Sequence, residues 1–144
     1  SQMKPEIFVD TDLLVAYLQE PESLLGRLMK QVVCFTSVLN GTELIGITRT
    51  DEERYHAESV LWGLKVLGFH HKYALSFGDA HRTAQGTVAL RDSMVAGMCI
   101  VSKLALVTCH PGRYKGYNGL RILPAEDAAR AESWNELKKY IYTV

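Results

Sequence analysis

The chain has 144 residues, 47% of them apolar, and 16 basic residues balance 16 acidic ones to a formal net charge of zero. That length supports one domain, which can bury a core of its own without disulfides or structural metals. Balanced charge excludes a global field that draws polyanions, so any nucleic-acid contact must come from a local basic patch.

The apolar run Glu6-Ile7-Phe8-Val9 predicts a first strand that closes on Asp10. Thr11 then caps a helix with apolar positions Leu13, Leu14, Ala16, Tyr17 and Leu18, which Pro21 interrupts before Leu24, Leu25, Leu28 and Met29 resume the period. A second strand is predicted over 32–36, and Ser37 caps a helix carrying Glu43 and Leu44. After a polar break at 49–51, a helix is expected over 52–67, with Val66-Leu67-Gly68-Phe69 as a short strand at its end. A helix over 73–84 stops at Gly86. The clearest helical period runs over 92–103, opened by Asp92, and leads into a buried strand over 104–108. Pro111-Gly112 and Gly116 to Gly119 mark a loop, 120–123 a last edge strand, and 125–142 a terminal helix with Ala128, Trp134, Leu137 and Ile141 inward. Strands alternating with helices predict one domain over residues 4–144, a three-layer α/β/α sandwich around a parallel sheet. Ser1-Gln2-Met3 reads as a cleavage remnant before a start at Met3.

Cys34, Cys99 and Cys109 are odd in number, far apart and without a CxxC pair. That argues against a disulfide framework and a thiolate zinc site and points to a reducing, cytoplasmic location. No stretch is long and apolar enough to span a bilayer, so no membrane partner is expected.

Three acids fall near strand ends in this scheme: Asp10, Glu43 and Asp92. Open α/β sheets bind ligands outside the carboxyl ends of their strands. Acids converging there repel one another unless a hard cation neutralises them, and oxygen ligands suit Mg²⁺ or Mn²⁺. Taken singly, each has a plainer reading. Asp10 or Asp92 can cap a helix, and Glu43 can be a solvated helix residue. Asp12 reads first as a helix residue favoured by the dipole, with an outer role at the site as the alternative. The functional case rests on the three acids together. No Ser-His-Asp or Cys-His set competes with them, and His56, His70, His71 and His81 lack ligand spacing.

The stretch Phe8-Val9-Asp10-Thr11-Asp12-Leu13-Leu14 resembles the opening strand and helix of a PIN domain. Thr36-Ser37-Val38 followed by Thr42-Glu43-Leu44-Ile45-Gly46 resembles its second acidic element, and Arg91-Asp92-Ser93-Met94-Val95-Ala96-Gly97 its third. Leu106-Val107-Thr108, Tyr114 and Gly119-Leu120 fall where that family has its fourth strand and following loop. The pattern is most similar to the VapC-like toxins of toxin–antitoxin pairs. The resemblance implies a Mg²⁺- or Mn²⁺-dependent ribonuclease, a homodimer, and a cognate antitoxin. It implies Asp10, Glu43 and Asp92 as catalytic metal ligands, with Asp12, Thr11, Thr108 and His110 as accessory groups. Metal ions would supply the activated water, so no side-chain nucleophile is needed.

Two positions depart from the family pattern. His110 stands where an Asn or Asp is usual, and Arg113 where a further acid is usual. Arg113 is thereby expected to hold the acids electrostatically in the alternative reading, a catalytically degenerate module that binds nucleic acid or protein. Arg49, Arg113 and Lys115 are the expected RNA contacts, with His110 and Arg121 beside them. Tyr114 and Tyr117 read either as base-stacking groups or as loop anchors. Leu13, Leu14, Tyr17, Leu24 and Leu28 read as core, or as a dimer or antitoxin face. A phosphate-accepting receiver domain is the remote rival, since its middle acid should be an Asp ending a strand.

Overall fold

The computed structural model describes residues 4–144, so the reading of residues 1–3 lies outside the described residues. Six strands form one sheet: β1 (Glu6–Val9), β2 (Val33–Ser37), β3 (Lys65–Leu67), β4 (Ala105–Thr108), β5 (Arg121–Pro124) and β6 (Tyr142–Thr143), in the order β3-β2-β1-β4-β5-β6. All neighbours run parallel except β6, which returns antiparallel to β5. The helices are α1 (Thr11–Gln19), α2 (Leu24–Gln31), α3 (Val38–Gly46), α4 (Asp51–Trp62), α5 (Tyr73–Thr83), α6 (Leu90–Ser102), α7 (Ala125–Ala128) and α8 (Trp134–Tyr140).

Strand β1 shows why the sheet is covered on both sides. Its side chains alternate across the pleat, and both faces are apolar. Ile7 and Val9 enter the core beneath α1, α2, α4 and α8, with Leu13, Leu25, Ala57, Val60 and Leu137. Phe8 enters the opposite core, against Phe77 of α5 and Val95, Met98 and Cys99 of α6. The expected three-layer sandwich is the arrangement found. Leu13, Leu14 and Leu28 are buried in the first core, and Tyr17 and Leu24, partly buried, pack against it.

Several boundaries differ from expectation. Helix α6 starts at Leu90, behind an N-terminal residue, Ala89, that gives no side-chain cap. Asp92 is therefore the third helical residue and not its opening cap. The long helix expected over 52–67 ends at Trp62, and Lys65–Leu67 pairs with β2 instead. The terminal helix is two pieces, because Ser133 accepts a bond from Glu136 N at 3.3 Å while Glu136 Oε2 accepts from Glu132 N at 3.0 Å. Those two bonds, one to the Ser133 cap and one to the residue before it, begin a new helix. Strand β5 is consequently not an edge, since β6 covers it.

Candidate functional site

Strand β1 delivers Asp10 to the end of the sheet between β2 and β4, its two parallel neighbours. Thr11 N donates to Asp10 Oδ1 at 2.8 Å, so Asp10 does cap α1. Capping spends only part of its capacity. Asn40 Nδ2 donates to the same oxygen at 3.3 Å, and Thr108 Oγ1 and Tyr114 Oη donate to Oδ2 at 3.1 and 2.6 Å. The carboxylate is 2% exposed, and burial of an ionised acid is tolerable only with such a set of donors.

Glu43 arrives from the middle of α3. Ser37 fixes the start of that helix, accepting from Asn40 N at 3.4 Å and donating to Asn40 Oδ1 at 2.5 Å. Asn40 thereby aims its amide at Asp10 and at Thr11 Oγ1, 2.9 Å away. Thr11 Oγ1 in turn donates to Glu43 Oε1 at 2.5 Å. Asp92 comes from the first turn of α6.

At the centre of the three acids lies the guanidinium of Arg91. Its Nη2 donates to Asp10 Oδ1 at 3.0 Å, Glu43 Oε1 at 2.7 Å and Thr11 Oγ1 at 3.3 Å. Its Nε donates to Glu43 Oε2 at 3.2 Å, and its Nη1 donates to Asp92 Oδ1 at 2.9 Å and Tyr114 Oη at 2.7 Å. Arg113 adds a second cation at one side, with Nη2 2.6 Å from Asp92 Oδ1 and Nε 3.4 Å from Oδ2. Burial works to lower the Arg91 pKa, but the bonds to Glu43 and Asp92 and the charge of Asp10 outweigh it, and the pKa rises. Arg91 therefore stays charged and cannot act as a base.

The remaining expected residues are distributed as follows. Asp12 Oδ2 accepts from Thr108 Oγ1 at 3.2 Å and from Cys109 N at 2.9 Å, while its buried Oδ1 has no partner among the described residues. Burial first, and Asp10 second, raise the Asp12 pKa. His110 N donates to Thr108 Oγ1 at 3.1 Å, and His110 lines the mouth of the site. An open hollow of about 350 Å³ is bounded by Asp10, Thr11, Asp12, Val15, Glu43, Arg91, His110 and Arg113. Arg49 lines a neighbouring hollow that shares Val15 with it. Lys115 is exposed just past the 3₁₀ turn Pro111–Tyr114.

Three expectations are corrected. Arg121 does not gather at the mouth: it opens β5, at the other end of the strands, and its Nη2 donates to Lys103 O at 2.7 Å. Tyr117 is buried, its hydroxyl within 2.8 Å of Ser93 Oγ, and offers no face for stacking. Arg113 touches Asp92 alone among the three acids; Arg91 is the residue that spans them. Arg91 and Asn40 are the site residues that the sequence reading missed, and Tyr114, read as a stacking group or a loop anchor, is buried against Asp10 with no face for stacking. A cation in the first turn of a helix opposes the macrodipole, and Arg91 beside Asp92 was the available signal.

A divalent cation does not fit this arrangement. Each oxygen of Asp10, Glu43 and Asp92 already accepts a hydrogen bond, and Arg91 holds the position between them. Among the described residues, no group of three or more His, Cys, Asp or Glu is arranged to hold a metal ion. No hydrolytic step through a metal follows from this geometry.

Among solved structures, the chain is similar to one in the DNA-bound VapBC of Salmonella typhimurium, at 18% identity and a TM-score of 0.66, covering 85% of this chain and 99% of that one. It is similar to a chain of VapBC2 from Rickettsia felis, bound to a DNA fragment from their promoter, at 16% identity and 0.65, covering 77% and 92%. VapBC-1 from nontypeable Haemophilus influenzae gives 14% identity and 0.62, covering 76% and 90%. No protein-family model matches the sequence, and no curated protein matches it. The likeness shows a PIN-like α/β/α fold of the VapC type, as the resemblance in the sequence implied.

Proposed function

We propose that this chain is a ribonuclease of the PIN type, the toxin partner of a toxin–antitoxin pair, whose acidic centre Arg91 holds shut in the form described. The observation that carries this reading is the meeting of Asp10, Glu43 and Asp92, from three distant segments, on a single cation. Bringing three acids together at the end of a sheet costs stability, and a site for cationic chemistry is the functional return. The fold it shares with VapBC chains supports the same reading.

The chain's own residues have definite tasks in it. Asn40, Thr108 and Tyr114 fix the Asp10 carboxylate, and Thr11 orients Glu43. Asp12 and His110 border the hollow. Arg113 at the mouth, with Arg49 in the next hollow and exposed Lys115, supplies the local positive charge for an RNA backbone. Metal nucleases draw their activated water from a bound Mg²⁺ or Mn²⁺; a guanidinium cannot supply one. The cognate antitoxin and a second copy belong to the same proposal. Among the described residues no helix is long and apolar enough to cross a membrane.

The test is cleavage of a mixed structured and single-stranded RNA pool with Mg²⁺, with Mn²⁺ and with chelator. The intact chain, Arg91→Gln and Asp10→Asn are run side by side. Metal-dependent cleavage by either of the first two, lost in Asp10→Asn, supports the reading. Absence of cleavage by all three rejects it. The second reading, a PIN-fold module that binds without cleaving, is favoured by Arg113 on Asp92 as a second internal cation. It predicts salt-sensitive RNA binding with no cleavage under any metal.

A further inference from the structure

We infer that Arg91 is a latch built into the acidic centre, a guanidinium that competes with divalent cations for the same carboxylate oxygens. The inference rests on reading that centre as a cation site, and it names what governs access to it.

Two observations make Arg91 an occupant and not a bystander. Its three nitrogens reach all three acids and the hydroxyl that holds one of them, Tyr114 Oη. It also stands second in α6, where the unpaired amides of the helix start disfavour a cation. A side chain placed against the dipole and satisfied by three carboxylates is held by them. Arg113 cannot replace it, because Arg113 meets Asp92 only. With Arg91 in place, Asp10 and Glu43 have no oxygen free of a donor. A divalent ion and the guanidinium therefore exclude each other. The Arg91 side chain is 21% exposed and lines the open hollow, which gives it a path outward without unfolding α6.

The experiment is Mn²⁺ binding at neutral pH by calorimetry, on the intact chain, Arg91→Gln, and Arg91→Gln combined with Asp10→Asn. The expected result is that Arg91→Gln binds one Mn²⁺ on the order of 100-fold more tightly than the intact chain, the scale set by leaving buried acids without their partner. The double variant should lose that gain. If Arg91→Gln is unfolded without metal, circular dichroism during a Mn²⁺ titration reads the same affinity as metal-driven folding. Equal affinity in the intact chain and Arg91→Gln overturns the latch, as does a gain that survives Asp10→Asn. Tight Mn²⁺ binding by Arg91→Gln without RNA cleavage keeps the latch and removes the ribonuclease reading, so the two fail separately.

Discussion

The hydroxyl of Tyr114 donates a 2.6 Å hydrogen bond to Asp10 Oδ2, tying the 3₁₀ turn after β4 to the end of β1 beneath the acidic centre. The phenol oxygen in turn accepts from Arg91 Nη1 at 2.7 Å, so one buried hydroxyl serves a carboxylate and a guanidinium at once. Burial, then the Asp10 charge and bond, push its pKa far above the phenol range, and Tyr114 remains a donor at every working pH. Tyr114→Phe keeps the packing and removes this link. Hydrogen bonds to charged groups contribute about 1.5–3 kcal/mol, so the variant should unfold at lower denaturant with an unchanged m-value. A loss below about 0.5 kcal/mol would show that the link carries little.

Asp12 should be a liability at neutral pH. Its folded pKa is raised, by burial and then by Asp10, so between the ordinary value of 3.8 and that raised value the folded chain binds more protons than the unfolded one. Stability attributable to Asp12 is thus present below pH 3.8 and lost as pH rises through the folded pKa. Asp12→Asn should raise the melting temperature at pH 7, and the difference should vanish below pH 3.8. A difference that persists in acid would assign the gain to packing.

Cys109 is exposed but should be slow to alkylate. Burial of its sulfur, then the nearby Asp12 carboxylate, push its pKa from 9.0 to about 11. The thiolate is the nucleophile, so at pH 8 Cys109 should react about 100-fold more slowly than an unperturbed thiol. Asp12→Asn should speed it. Mass spectrometry after iodoacetamide treatment reads both rates, while Cys34 and Cys99, which are buried, serve as internal references.

Gly116 is required for close approach. A Cβ there would run into the carbonyl oxygen of Gln85, whose amide donates to Gly116 O at 3.0 Å. Both atoms are backbone and cannot swing aside. Gly116→Ala should therefore cost about 1–3 kcal/mol, read by thermal melting. Gly112→Ala, with nothing among the described residues within 4 Å of the added carbon, is the neutral control.

Asp10, Glu43 and Asp92 were legible in the sequence because strand and helix starts are local patterns, and their order fixes which end of the sheet each acid reaches. Arg91 was not legible in the same way. A long side chain next to an acid in sequence can point anywhere, and only the tertiary placement of Glu43 and Asp10 decides that it turns inward. Tyr114 was legible as a stacking group or a loop anchor, but its bond to Asp10 was not, for a related reason: its burial depends on the 3₁₀ turn that Pro111 starts, which a Pro-Gly loop signal does not specify. The break before α8 was readable, since Ser133 and Glu136 carry the capping-box spacing. The apolar period across 125–142 outweighed it. Strand β6, only two residues long, had no pattern to read.

Strand β1 is central in the sheet, and its two ladders differ in reach: Ile7 pairs with Cys34 on one side and with Ala105 on the other. Pairing β1 with β4 closes a much longer stretch of chain than pairing it with β2, so the β4 ladder carries the greater loop-closure entropy. Arg91, Thr108 and Tyr114 all lie on the far side of that longer closure, whereas Asn40 lies on the near side. Neutralising Asp10 is thereby tied to the docking of β4 and its neighbours, and the acidic centre is complete only when the centre of the sheet is complete.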